Sequence, residues 1–148
     1  MLRIMLPPVW LLIAILAMVA LGLWAPGMRI IAHPWTFIGL VPMVVGIAIG
    51  LMASAAFHRA KTTIKPFEVS SALVTDGVFG LSRNPIYLGM VLLLIGVALL
   101  TGAATPFAVV VLFALIIHYG FIRMEEGMLV ERFGTAWEGY AARVRRWV

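Results

Sequence analysis

Ser82-Arg83-Asn84-Pro85-Ile86-Tyr87-Leu88-Gly89 is the stretch that decides the fold of this chain. Its polar first half runs directly into an uncharged apolar segment that continues to Leu100. Proline is favoured at the first position of a helix, where its missing N–H costs little. The stretch therefore predicts a helix that begins at Pro85 and enters a membrane, with Arg83 and Asn84 at its polar end.

The composition places most of the chain in lipid. The 148 residues are 64% hydrophobic and 11% charged, whereas a soluble domain is about half apolar and about a quarter charged. Uncharged runs, each close to the roughly 20 residues that cross a bilayer, cover about 6–24, 35–57, 85–104 and 106–122. We predict an all-α membrane protein, a single domain over residues 1–148 with four transmembrane helices.

Two features describe how these helices should pack. A short Thr/Gly/Ala-rich break separates the last two runs, so they are expected to form a C-terminal helical hairpin that crosses the membrane. In the second run, Gly46, Gly50 and Ser54 recur every fourth residue. Such a small-xxx-small stripe lets another helix approach closely.

The polar parts of the chain are the connection 58–84 and the tail 123–148. Connections longer than about 12–15 residues are usually functional or disordered, and we interpret 58–84 as a structured lid. In the tail, Gly134 should end a helix, and Thr135-Ala136-Trp137-Glu138 has the form of a capping box that starts another. That helix has an apolar stripe, which predicts an amphipathic helix on the membrane surface. The stripe consists of Trp137, Tyr140, Ala141 and Val144.

The basic residues predict the orientation. With four spans, the N-terminus, the connection and the tail share one side and hold ten of the eleven Lys and Arg residues, whereas Arg29 lies opposite. The positive-inside rule places both termini and the stretch at Pro85 on the cytoplasmic side. The membrane is expected to be a bacterial inner membrane.

The same topology brings polar residues together. The start of the third span should meet Glu125 and Glu126, which follow the fourth, and acidic groups at a hydrocarbon edge need a cation or hydrogen-bond donors. The helix start at Pro85 favours an anionic group. Tyr87 offers a ring or a hydroxyl, and Gly89 would let a flat ligand approach the backbone. Such a site suits a ligand with a carboxylate, an amine, hydroxyls and a flat base.

His118 lies seven residues before Glu125, on roughly the same helix face. Two interpretations stay open for it: a hydrogen-bonded packing residue, or part of the lining of a ligand pocket. Metal binding is not expected, because the chain has no cysteine and its three histidines are far apart. Glycine-rich nucleotide motifs are missing. A nucleic-acid partner is not expected either, because the basic residues form no single face.

Three ordered motifs resemble the isoprenylcysteine carboxyl methyltransferase and phospholipid methyltransferase superfamily. Leu73-Val74-Thr75-Asp76-Gly77-Val78-Phe79 and the stretch Ser82–Gly89 are similar to its signature, which contains an Arg-His-Pro-x-Tyr-x-Gly motif. A hairpin and a Glu-Glu pair follow in that family, and here the pair is Glu125-Glu126. The ending, from Leu129 to Arg146, is also similar, so the resemblance covers roughly residues 62 to 148.

The resemblance implies a methyltransferase that uses S-adenosylmethionine, releases S-adenosylhomocysteine and acts on a lipophilic acceptor, isoprenylcysteine carboxylate-like or phospholipid-like. It implies that cofactor-binding residues include Arg83, Pro85, Tyr87, Gly89, Glu125 and Glu126; Asn84 and His118 complete the predicted set. Asn84 stands where many members have histidine, and asparagine does not titrate near neutral pH. No residue is assigned as catalytic.

Two other functions are compatible with the sequence. Some sterol-reductase-like membrane proteins share an Arg-x-Pro-x-Tyr-x-Gly stretch, but an NADPH 2′-phosphate needs a basic cluster and the nearby candidates are Arg83, Lys61 and Lys65. A non-enzymatic membrane scaffold would use the glycine stripe for packing. The sequence leaves the oligomeric state and the identity of the acceptor open.

Overall fold

The computed structural model describes residues 6–61 and 71–148. Within these residues the secondary structure is helical, and there is no β-strand beyond an isolated bridge between Arg29 and Ala103. The prediction of an all-α protein is therefore confirmed. The α-helices are α1 (Pro7–Trp24), α2 (Leu40–Arg59), α3 (Pro85–Thr101), α4 (Thr105–Ile117), α5 (Arg123–Phe133) and α6 (Thr135–Ala141). Short 3₁₀ helices, Trp35–Gly39 and Gly77–Gly80, and a π-helical turn, His118–Ile122, complete the described elements.

Prolines begin two of these helices, and glycines end two. Pro7 and Pro85 are the first residues of α1 and α3, where the lost N–H would be unpaired in any case. Gly102 ends α3 with φ 67°, and Gly134 ends α5 with φ 49°, as expected from residues that accept positive φ. The capping box predicted at Thr135 is wrong: Gly134 occupies the N-cap of α6, and no side chain caps that helix.

The chain is a membrane protein by the length and composition of its helices. Among the described residues, three helical segments are long and apolar enough to cross a bilayer: Pro7–Trp24, Trp35–Arg59 and Thr105–Phe133. Helix α3 is apolar but shorter, with 17 residues, about 25 Å at 1.5 Å per residue. The predicted count of four spans stays a prediction.

Two helix ends differ from the predicted ends of the spans. The third span ends at residue 101 rather than about 104, because the left-handed Gly102 terminates it. The fourth span was predicted to end at residue 122, and Gly134 was predicted to end a helix in the tail. In the structure α4, the π-helical turn and α5 form one continuous helix to Phe133, so it continues past residue 122 and ends next to Gly134. The helix continues because its charged residues find partners within the protein, as described below.

Helix α3 lies at the centre and packs on α2 through glycine. A Cβ atom on Gly46 would collide with the carbonyl oxygen of Gly89, and one on Gly96 would collide with that of Gly39. These pairs lie two turns apart, so the two backbones touch along most of the interface. The predicted close approach is confirmed at Gly46, whereas a Cβ on Gly50 meets no atom within 4 Å.

On its other side, α3 packs against α1 and α4. The centre of this cluster is Met18, Leu94, Phe113, Ile117 and Phe121, each at most 2% exposed. The outward faces of α1 and α2 are also apolar but exposed. Such faces are expected of helices whose solvent is the hydrocarbon of a bilayer.

The far end of the hairpin is tied to the loop between α1 and α2. The Ile30 N–H donates to Gly102 O at 2.9 Å, and the Ala104 N–H donates to Met28 O at 3.0 Å. The Thr105 hydroxyl donates to Ala25 O at 2.7 Å. The predicted hairpin is therefore present, and its turn lies at the same end of the molecule as the α1–α2 loop. Pro85, at the start of α3, lies at the other end.

The predicted lid is described in part, since residues 62–70 lie outside the described residues. Its second half contains the 3₁₀ helix Gly77–Gly80, which docks on the end of α2. Phe79 is 5% exposed and packs with Ala53 and Ala56. This contact fixes the segment that leads into Arg83 and Asn84.

Candidate functional site

The start of α3 and the start of α5 meet at one end of the molecule. The Tyr87 hydroxyl donates to Glu125 Oε1 at 2.7 Å. The Arg83 guanidinium lies 3.5 Å from Glu126 Oε1. The two polar clusters therefore face each other across the hairpin, as its antiparallel geometry predicts.

Glu126 is buried and is held by two guanidinium groups. It is 8% exposed, and besides Arg83 it accepts three hydrogen bonds from Arg146, at 2.6, 3.0 and 3.1 Å. These bonds stabilise the charged guanidinium, so the pKa of Arg146 is raised although burial opposes the shift. Removing a carboxylate from water is tolerable when cations and donors surround it.

Residues 143–148, which we name the C-terminal strap, complete the network through their backbone. The Arg83 N–H donates to Arg145 O at 3.0 Å. Both Asn84 Nδ2 and the Ser82 hydroxyl donate to Arg146 O, at 3.0 and 3.3 Å. Ser82 is fully buried and also accepts from the Asn84 N–H at 3.1 Å. The Asn84 side chain thus holds the strap.

His118 also contacts the strap. Its ring stacks on Trp147 with centroids 6.4 Å apart and planes 19° apart, and Trp147 Nε1 donates to His118 Nδ1 at 3.4 Å. His118 opens the π-helical turn. The prediction that His118 and Glu125 share a helix face assumed an uninterrupted α-helix between them. A π turn takes more residues than an α turn, so that assumption does not hold here.

Helix α6 packs on the protein rather than presenting its apolar stripe to a membrane surface. Trp137 and Tyr140 are 4% and 3% exposed. The Tyr140 hydroxyl donates to Phe79 O at 2.7 Å, and the Arg83 guanidinium lies 5.7 Å from the Trp137 ring centroid. The stripe that predicted an interfacial helix is therefore a buried contact with the segment before α3.

Two predicted residues do not join the cluster. Pro85 is buried at the first position of α3, where it starts the helix. A Cβ on Gly89 would lie 2.5 Å from Gly46 O, so α2 occupies the space through which a flat ligand was expected to approach. The structure gives Gly89 a packing contact at this position.

Sequence reasoning missed Arg146, Trp147 and Ser82. The arginine was assigned to a membrane-facing helix because its local pattern is that of a basic, amphipathic tail. Its contacts join residues 20 to 64 positions apart. No spacing rule covers such distances. One sequence feature could have indicated Arg146. Two adjacent glutamates at the edge of the hydrocarbon require more positive charge than Arg83 alone supplies, so a second cation was to be expected.

Two polar groups in this network are incompletely matched. Arg83 Nε is buried and has no hydrogen-bond partner. Glu125 is hydrogen-bonded to Tyr87 but pairs with no cation among the described residues. A ligand that carries both an anionic and a cationic group would satisfy both. Among the described residues, no three His, Cys, Asp or Glu side chains are grouped as metal ligands.

The fold and the site define a class of protein: a small helical membrane protein with a charged cluster where a helical hairpin opens. The phospholipid methyltransferase family model matches residues 35–136, which are 102 of the 148 residues. The chain belongs to this family of methyltransferases. Searches of curated proteins and of solved structures find no match.

The family match includes α2, α3, α4 and α5 and ends within α6. It begins at Trp35, so it reaches further toward the N-terminus than the motifs from residue 62 onward indicated. The strap lies beyond its end. The helices that carry Tyr87 and Glu125 therefore lie within the matched residues, whereas Arg146 and Trp147 lie beyond them.

Proposed function

We propose that this protein is an S-adenosylmethionine-dependent methyltransferase that acts on a lipophilic, membrane-delivered acceptor, isoprenylcysteine carboxylate-like or phospholipid-like. The observation that carries the proposal is the contact of Tyr87 and Arg83 with the glutamate pair, in a chain that belongs to a methyltransferase family. The family membership supports methyl transfer in general, and the charged cluster supports a zwitterionic cofactor.

The residues present fit the cofactor. S-adenosylmethionine supplies, when bound, a methyl group already activated on a sulfonium. Its amino-acid end combines an ammonium and a carboxylate. Glu125, which lacks a cationic partner among the described residues, would accept a ribose hydroxyl, and its neighbour Glu126 would accept the ammonium. Arg83, whose Nε lacks a hydrogen-bond partner, would donate to the carboxylate.

The contribution of the chain to the reaction would be binding and alignment. A pre-activated methyl group requires little acid or base catalysis, so most of the acceleration would come from holding donor and acceptor in line and excluding water. Asn84 fits this interpretation, because an asparagine cannot serve as a titrating base. An acceptor carboxylate is already a nucleophile, whereas an amine must first lose a proton.

The route of the acceptor would be the bilayer. An apolar groove of about 270 Å³ lies between α1, α2 and α3, lined by residues that include Leu11, Gly50, Ile86 and Met90. Tyr87, next to Ile86, faces the polar cluster. A lipophilic chain would thus approach from hydrocarbon while the polar cofactor arrives from water. We place the cluster and both termini on the cytoplasmic side, because ten of the eleven basic residues share that side in a four-span topology. That the membrane is a bacterial inner membrane is part of the same proposal.

The proposal is tested by titrating the purified protein with S-adenosylhomocysteine in a calorimeter. We expect binding by the wild type and at least about tenfold weaker binding by Glu125→Gln, because a hydrogen bond to a charged group is worth about 1.5–3 kcal/mol. Glu131→Gln is the matched control, since Glu131 is exposed on the same helix. Absence of binding by the wild type, or equal binding by both variants, would contradict the proposal.

A further inference from the structure

The strap covers the site in which the proposed function places the cofactor. It accepts hydrogen bonds from Arg83, Asn84 and Ser82, three residues at the entrance to α3. Its Trp147 ring lies on His118 at the end of α4. The strap therefore bridges both arms of the hairpin and closes the gap between them from the polar side.

Arg146 also takes the position that a cationic ligand would need. Its guanidinium contacts both carboxylate oxygens of Glu126. The Glu126 side chain is 11% exposed, whereas that of Arg146 is 36% exposed. Arg146 thus separates Glu126 from water, and an ammonium group cannot reach those oxygens while Arg146 remains there.

We propose that the strap is a displaceable gate, in which Arg146 occupies the place at Glu126 that the cationic group of the cofactor takes on binding. Arg146 moves away with the strap and exposes the opening of the hairpin. This inference rests on the proposed function. It goes beyond the family match, which ends at residue 136.

The strap can be released without unfolding a helix or a strand. It follows the end of α6 at Ala141 and forms neither helix nor strand. Arg143 and Arg145 are exposed, whereas the polar contacts that hold the strap reach Asn84 and the buried Ser82 and Glu126. Irregular segments held by polar contacts open locally at lower cost than global unfolding. The ligand provides the compensating charge, because its ammonium replaces the guanidinium beside Glu126.

The first experiment compares S-adenosylhomocysteine binding and thermal stability of Arg146→Gln with those of the wild type. Glutamine removes the charge that holds the gate shut, so a larger fraction of molecules is competent to bind, and we expect roughly tenfold tighter binding. The unliganded variant should melt at a lower temperature. Arg143→Gln is the matched control, since Arg143 is exposed and donates to Gly139 O of the preceding helix α6 rather than to Glu126. Equal or weaker binding by Arg146→Gln would overturn the gate. If Arg146 had a structural or ligand-contacting role, its substitution would lower both the affinity for the ligand and the melting temperature.

The second experiment uses the wild type alone and does not depend on a variant folding. Hydrogen exchange of peptides covering residues 143–148 is measured without and with saturating S-adenosylhomocysteine. We expect faster exchange in the complex, because binding releases the strap. Unchanged or slower exchange in a protein that binds the ligand would overturn the gate and leave the proposed function standing. Failure of both wild type and Arg146→Gln to bind would overturn the proposed function, and the gate with it.

Discussion

Glu125 and Glu126 are neighbours in sequence but have different partners. With 3.6 residues per turn, consecutive side chains point about 100° apart on a helix. Glu125 therefore faces Tyr87 on α3, whereas Glu126 faces Arg83 and Arg146. The charge of Glu126 is compensated within the protein. That of Glu125 is matched by no cation among the described residues, which makes Glu125 the sharper test of ligand binding.

Tyr140 gives a prediction at the same scale. Burial raises the pKa of its phenol from 10.0 to about 12, with Arg83 opposing the shift and Glu126 adding to it. A raised pKa in the folded state means that the neutral phenol stabilises the fold below pH 10, and that this stability is lost as the pH rises from about 10 through 12. Ionised tyrosine no longer donates to Phe79 O.

We therefore expect Tyr140→Phe to be less stable than the wild type by about 1–2 kcal/mol at pH 8, because the buried Phe79 carbonyl loses its donor. The difference should shrink between pH 10 and 12. Thermal unfolding in detergent, followed by circular dichroism at each pH, measures it. A difference that stays constant up to pH 12 would show that the hydroxyl contributes through packing rather than through its proton.

At the scale of the helices, the decisive contact is that of α2 with α3. It excludes side-chain atoms at Gly46 and Gly89, so the helices approach at backbone distance. Close approach of this kind drives association in membranes, where burial of apolar surface does not. The contact also holds the first turn of α3 in place, and with it Tyr87. Packing between two apolar helices thus positions a polar site.

The contact predicts opposite outcomes for two glycines one turn apart. Gly46→Ala should destabilise the protein by about 1–3 kcal/mol, because its Cβ would collide with the Gly89 carbonyl and rigid backbone must move. Gly50→Ala should be neutral or slightly stabilising, since its Cβ meets no atom within 4 Å and alanine favours the helix. The prediction is checked by comparing the melting temperatures of the two variants with that of the wild type in the same detergent. Equal destabilisation would mean that the helices pack in a different register.

At the scale of the molecule, the helical bundle has two distinct ends. One carries the charged cluster, and the other joins the α1–α2 loop to the α3–α4 turn through backbone hydrogen bonds and the Thr105 hydroxyl. If α1 and α2 cross the bilayer, the turn at Gly102 lies at the far surface with their loop. This arrangement supports the four-span topology, although α3 is shorter than the other candidate spans.

The absence of native cysteine allows a direct test of this topology. We expect a membrane-impermeant maleimide to label Arg29→Cys and Ala104→Cys from the outer side of sealed cells, and Arg145→Cys after the inner face is exposed. Arg29 and Arg145 are exposed, and Ala104 is half-buried. Labelling of Ala104→Cys and Arg145→Cys from the same side would mean that the hairpin does not cross.

Much of the architecture was predictable because its causes are local. Apolar runs, prolines at Pro7 and Pro85 and glycines at Gly102 and Gly134 set where helices begin and end, and these signals act within one or two turns. A short break between two apolar runs implies a hairpin. The meeting of the motif at Pro85 with the glutamate pair follows from that topology.

The tertiary structure alone decided which partners the charged residues have. Arg146 reaches Glu126 from 20 residues away and Asn84 from 62, distances at which sequence spacing carries no geometric information. The same holds for the finding that a Cβ has no room at Gly46 but has room at Gly50, and for the stripe of α6 that packs inward. The sequence by itself determined the helices, their order and the family. The fold determined how its few charges pair, because in a chain this apolar each buried charge must find a partner wherever packing brings one within reach.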